Sequence, residues 1–144
     1  ERGGQTGQWD ELRDTADHHE HLDGDRESQT CGEELAEAHL RAVGWTILER
    51  NVSFRGGELD IVARDGNELV VVEVRTRAPG WMQSGEESVG PRKIRRLVRT
   101  GMKYMDSRKW DGPWRIDVVA VTLPENGDAH IERFEDITAG GNFA

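Results

Sequence analysis

Residues 56 to 77, GGELDIVARDGNELVVVEVRTR, leave this chain few ways to fold. Leu59, Ile61 and Ala63 alternate with Asp60, Val62 and Arg64, then Asp65-Gly66-Asn67 breaks the run before Leu69 to Val74. That pattern predicts two antiparallel strands around a tight turn. Two acids are out of place in it. Asp60 sits inside the first apolar run, and Glu73 follows three valines and precedes a fourth. A lone carboxylate buried there would cost several kcal/mol unless something compensates its charge. Side chains alternate faces along a strand, so the turn decides whether the two acids meet. A loop centred between Gly66 and Asn67 sets Asp60 directly opposite Glu73, while an Asp65-Gly66 turn makes them diagonal neighbours on one face. Either way they converge, and Arg75, two residues past Glu73, shares their side.

Two carboxylates gathered by paired strands, with a cation beside them, suit a hard metal, Mg2+ or Mn2+. Such an ion takes oxygen ligands and keeps positions for water and a phosphate. It would activate the water and neutralise charge building on a phosphodiester under in-line attack. The plainer reading makes Glu73 and Arg75 edge-strand surface charges and Asp60 a polar strand end.

The order Gly57-Glu58-Leu59-Asp60, short turn, Val72-Glu73-Val74-Arg75-Thr76-Arg77 resembles the PD-(D/E)xK nuclease superfamily, whose signature is an acid, a hairpin, then acid-x-Lys. More closely, the chain is similar to the bacterial YraN-like family, which has been compared with archaeal Holliday-junction resolvases. The likeness runs from about Gly32 to Val121 and includes GEELAEAHLRAVGW, RN followed by RGGELDIVARDG, VEVRTR, SVGPRKIRRL and RIDVVAV. It implies an α/β restriction-endonuclease-like core, a mixed sheet of four to five strands flanked by helices in the order αβββαβ. It also implies a metal-dependent nuclease acting on DNA, branched or structured DNA by analogy with resolvases, which work as homodimers on two-fold junctions. Asp60 and Glu73 would hold the metal. A helix glutamate that reaches the metal in the family is matched by Glu33, although an acid there also favours a helix N-terminus on its own account. Lys93 matches the lysine of an SV-x-x-x-K pattern. The departure is Arg75, where lysine is usual: arginine does not give up a proton near neutral pH, so it can clamp a phosphate but not act as a base.

The remaining segments read in order. Leu35, Ala36, His39, Leu40 and Val43 recur at helical spacing, predicting a helix from about Gly32 to Val43 that ends at Gly44. Trp45 to Asn51 reads as a strand, with Trp45, Ile47 and Leu48 inward. Arg55-Gly56-Gly57 is a bend whose glycines could admit a phosphate, and Glu58 falls on the face of Asp60 as a further ligand or supporting acid. Ala78 to Gly90 is a loop long enough to be functional, in which Trp81 could stack on bases or pack beneath the chain. Pro91 opens a second helix to about Ser107, with Ile94, Leu97, Val98, Gly101 and Met105 inward and Tyr104 at the margin. Its other face carries Arg92, Lys93, Arg95, Arg96, Arg99 and Lys103 without an acid before Asp106, a surface suited to tracking phosphates. Arg115 to Thr122 is a doubly buried strand, and His130 to Phe134 a short fifth.

Net charge is -9, which at first argues against a polyanionic partner. The distribution reverses that impression: residues 1–30 hold nine acids against three arginines, leaving only -3 for the rest. With no apolar periodicity, residues 1–30 are expected to be a disordered acidic tail, residues 31–137 the nuclease-like domain, and 138–144 a frayed end. Two ideas attach to the tail: His18-His19-Glu20-His21 as a transition-metal group, and the acidic arm as a cover for the basic helix. One cysteine, Cys31, excludes an internal disulfide and fits a reducing cytoplasm. No 18-residue apolar run marks a membrane. The expected function is therefore a Mg2+- or Mn2+-dependent nuclease, with a catalytically silent nucleic-acid-binding or adaptor protein on the same fold as the alternative.

Overall fold

The computed structural model describes residues 20–77, 89–124 and 126–138. In chain order its elements are α1 (Glu20–Ala42), β1 (Thr46–Phe54), β2 (Gly57–Asp65), β3 (Glu68–Arg77), α2 (Pro91–Ser107), β4 (Trp114–Thr122) and β5 (His130–Phe134). The strands form one sheet in the order β1-β2-β3-β4-β5. Only β3 and β4 are parallel, and the remaining neighbours are antiparallel, so the sheet is mixed. A parallel pair needs a crossover, and α2 supplies it.

The two helices cover opposite faces. On one side Ala36 and Leu40 of α1 pack with Trp45, Ile61, Ala63, Val70, Val72, Val74, Val119 and Val121. On the other, Ile94, Leu97, Tyr104 and Met105 of α2 pack with Val62, Leu69, Val71, Ile116 and Val118. Strands buried on both faces need continuous apolar runs, which is why β3 and β4 read as strings of valine. Edge strand β1 instead alternates, and its register slips between Ile47 and Glu49. That bulge turns Leu48 outward to 43% exposure, against the inward placement expected of it. The α/β class, the mixed sheet and its flanking helices are as the sequence predicts, and they are consistent with a restriction-endonuclease-like core.

Three expectations change. Helix α1 starts at Glu20, so residues 20–30, expected to be disordered tail, are helical. Gly32 reads as a boundary in the sequence but lies inside the helix, where a Cβ would run into the Thr76 side chain of β3. It is a close-packing glycine within the helix, and not its start. Tyr104 is core, 2% exposed, with its hydroxyl donating to Glu49 Oε2 at 2.8 Å. Asp117, which reads as an ordinary alternating strand residue, is fully buried and accepts from Arg115 Nε at 3.0 Å, Arg133 Nη1 at 3.2 Å and the Asp136 amide at 2.8 Å. Both arginines also lie over the Trp45 ring. His18 and His19 of the histidine group, the tail before them, Trp81 and its loop, and residues 139–144 lie outside the described residues. Among those that are described, no helix is long and apolar enough to cross a membrane.

Gly101 tests how tightly α2 is seated. A Cβ there would come within 2.5 Å of Trp114 Cζ3. Alanine gains at most about 1 kcal/mol of helix propensity, whereas overpacking costs about 1–3 kcal/mol. Gly101→Ala is expected to lower the urea midpoint with an unchanged denaturant slope; a raised midpoint would show that the ring yields.

Candidate metal centre and nucleic-acid interface

β2 stays paired with β1 as far as Phe54–Gly57, and β3 with β4 as far as Arg77–Thr122. Their mutual ladder is shorter, running only from Asp65–Glu68 to Ile61–Val72. The next residues in that register are Asp60 and Glu73, the pairing that a Gly66-Asn67 loop predicts. There the strands part. The Val74 amide, left without a backbone partner on β2, donates to Asp60 Oδ2 at 2.9 Å. A backbone donor buried at a strand divergence has to be satisfied, and the aspartate does it.

Glu73 continues the side of β3 that faces α2 and is 4% exposed. Lys93 Nζ of α2 lies 3.4 Å from its Oε2, and Arg75 Nη1 lies 3.7 Å from the same oxygen. Both contacts are longer than a good charged hydrogen bond, so they compensate charge without saturating the carboxylate. Burial first, and the neighbouring Asp60 charge second, push the Glu73 carboxyl up to about 7. Asp60 is raised as well, chiefly by burial. Two acids facing each other out of water resist a second negative charge.

Glu33 approaches from α1 with both carboxylate oxygens engaged. Its Oε2 accepts from Gln29 Nε2 at 3.1 Å and its Oε1 from Arg50 Nη2 at 3.4 Å. Arg50 is held in turn by Glu37 Oε1 at 2.9 Å. Among the described residues no group of three or more His, Cys, Asp or Glu side chains is placed to hold one ion. Of the three acids expected at the ion, Asp60 and Glu73 share the cavity lining, and Glu33 is not part of that lining. Glu33 still feels the pair: burial and then the Asp60 charge raise its carboxyl. Gln29 was invisible to sequence reasoning because its stretch has no apolar period. Its Nε2 also donates to the Val74 carbonyl at 3.2 Å, so both backbone polar groups of Val74 are met by side chains.

The pair opens into a cavity of about 380 Å³. Ser53, Phe54, Gly56, Gly57 and Glu58 form one wall, Lys93, Arg96 and Leu97 of α2 the other, and Asp60 and Glu73 lie between them. The basic helix therefore divides by role. Lys93 and Arg96 line the cavity, while Arg92, Arg95 and Arg99 are exposed beyond it. Lys103 has a structural job, donating from Nζ to the Arg55 carbonyl at 2.7 Å. It thereby holds the turn in which Gly56 takes φ 92. Gly57 is also a close-packing position, since a Cβ there would strike Thr100 of α2.

An α/β chain with one mixed sheet, two covering helices and a cleft that brings Lys93 and Arg96 to a buried and a half-buried acid is the class that these features define. Within it, the model of the Uncharacterised protein family UPF0102 matches residues 32–121. The chain belongs to that family. A UPF0102 protein of Kineococcus radiotolerans is 40% identical over 109 residues, covering 74% of this chain and 89% of that one. One of Thermotoga petrophila is 44% identical over 114 residues, covering 75% and 94%. Another, of Anaeromyxobacter dehalogenans, is 44% identical over 104 residues, covering 72% and 77%.

The raised carboxyls give a pH dependence with a definite sign. A folded-state pKa of about 7 against an ordinary 4.5 means that the folded protein binds the extra proton. Its stabilising effect is complete below 4.5 and is lost as pH rises to about 7. Glu49, lowered by its hydrogen bond from Arg108, titrates below that window. In chelator, the stability of the wild type is expected to fall across this range by on the order of 3 kcal/mol. Denaturant titrations of the Glu73→Gln variant should show a flatter profile; an identical slope in both proteins would contradict the assignment.

Proposed function

We propose that this protein is a Mg2+- or Mn2+-dependent nuclease that cleaves phosphodiester bonds of DNA. The observation that carries the reading is the Asp60–Glu73 pair: a half-buried and a buried carboxylate, incompletely neutralised, in a cleft that Lys93 and Arg96 also line. A protein that needed only a fold would not place them so, because each charge costs several kcal/mol there. The pair fits a small hard ion. Mg2+ is held by one or two carboxylates and otherwise by water and substrate phosphates, so a third protein acid is not needed.

Asp60 and Glu73 would hold the ion, which when bound supplies charge neutralisation and an acidified water. The chain's own residues do the rest. Lys93 Nζ, 3.4 Å from Glu73 Oε2, would stand in for the lysine of the acid-x-Lys signature, since β3 carries Arg75 at that position. It can fix the attacking water or neutralise a phosphate oxygen. Arg75, 40% exposed at its side chain, can reach a phosphate but keeps its proton. Gln29, Arg50 and Glu33 hold the β3 edge in place behind the acids. Arg92, Arg95 and Arg99 attract the backbone along α2, a contribution that weakens as salt rises. Two-fold branched DNA would call for two copies of the chain.

A cleavage screen over single-stranded, duplex, flapped and four-way DNA tests the reading, with Mn2+ and with chelator. Metal-dependent cleavage that Asp60→Asn and Glu73→Gln abolish is the expected result. Lys93→Ala should lower the rate roughly 100-fold with little change in Tm, as expected for loss of a group that stabilises developing charge. Tight, strongly salt-dependent DNA binding without cleavage under any divalent condition would instead favour the catalytically silent alternative.

A further inference from the structure

We infer that the cleft between the β1–β2 turn and α2 seats one unpaired nucleotide, with its base against Phe54 and its phosphate between Arg96 and the Asp60–Glu73 pair. The inference rests on the phosphodiester reading above and narrows its substrate.

The first argument is depth. Glu73 is 4% exposed, so a phosphate reaches it only by entering the cavity. At about 380 Å³ the cavity lies within the size range of sites for single small molecules. The second is the chemistry of the walls. A cleft that met only backbone phosphates would need cations and peptide groups. This one is also lined by Phe54, half-buried and packed against the core, and by Leu97 beneath it. An aromatic face beside an arginine suits a base and its phosphate, and base-aromatic stacking is worth about 1–3 kcal/mol.

A base inside a duplex has both faces covered by its neighbours, so it can meet the ring only once it has left the stack. The third argument is rigidity. The turn that carries this wall is fixed by the bond from Lys103 Nζ to the Arg55 carbonyl and by Gly57 packed on Thr100. A wall held this way does not flatten to admit a continuous duplex.

The shared chemistry is a nucleoside phosphate, which a strand or a mononucleotide could offer. The exposed Arg92, Arg95 and Arg99 continue the positive surface outside the cavity, where a mononucleotide has nothing to place and a strand has further phosphates.

Fluorescence anisotropy with the full chain, in chelator so that no cleavage occurs, decides the matter. The probes are a short labelled oligothymidylate, a strand of equal length made of abasic residues, a blunt duplex, and thymidine monophosphate as competitor. The oligothymidylate should bind roughly tenfold more tightly than the abasic strand, as one stacked base implies. Phe54→Leu, which keeps an apolar group against the core, should erase that ratio, and Phe54→Trp should keep it. Equal affinity for the abasic strand or for the duplex would overturn the inference. So would a ratio that survives Phe54→Leu, or a mononucleotide that competes as well as the strand. Binding without base preference, together with Mn2+-dependent cleavage, would leave the nuclease reading standing and remove only the nucleotide seat. Absence of both binding and cleavage would remove the nuclease reading itself.

Discussion

A single hydrogen bond, from the Val74 amide to Asp60 Oδ2, marks the place on which the whole arrangement depends. Past Ile61–Val72 the second and third strands separate, and each continues with its outer neighbour. The divergence opens a notch in an otherwise continuous sheet. An aspartate at its edge accepts from the Val74 amide that the separation leaves without a partner on β2, and a glutamate on the facing strand lines the same notch. The cavity follows from the same event, because the first hairpin turn and the start of α2 now stand on either side of a gap.

Such a notch is electrostatically unfavourable when nothing enters it. Burial holds the Glu73 and Asp60 carboxyls above their ordinary range, and the Asp60 charge raises Glu73 further. Lys93 and Arg75 offset part of that, at distances that leave room for a ligand. A divalent cation would relieve the pair more fully than either side chain, since it replaces two like charges in contact with one neutral assembly. Stability given up at a site and recovered on binding is a familiar mark of function.

Much of this was legible in the sequence, for identifiable reasons. The valine runs fixed the central strands, since only a doubly covered strand tolerates such a run. The two-residue turn set parity, and parity alone brought Asp60 to Glu73. The basic stripe of α2 was equally plain. What escaped notice depended on partners distant in the chain. Gln29 sits in a stretch without period, so its bonds to Glu33 and Val74 left no trace. Gly32 and Gly57 read as breaks or phosphate approaches, whereas side chains of Thr76 and Thr100 explain them. Lys103 looked like one more phosphate contact until the Arg55 carbonyl gave it an anchor. Asp117 could not be told from its strand neighbours without Arg115 and Arg133, brought to it by β4 itself and by β5.

The account stands or falls on what occupies the space between residues 60 and 73. Anomalous diffraction from crystals equilibrated with Mn2+ addresses it directly. The account predicts one strong peak bonded to both Asp60 and Glu73 at about 2.0–2.2 Å, the range of small hard cations on oxygen. Anomalous density elsewhere on the surface, with Lys93 still resting on an ion-free Glu73, would contradict it.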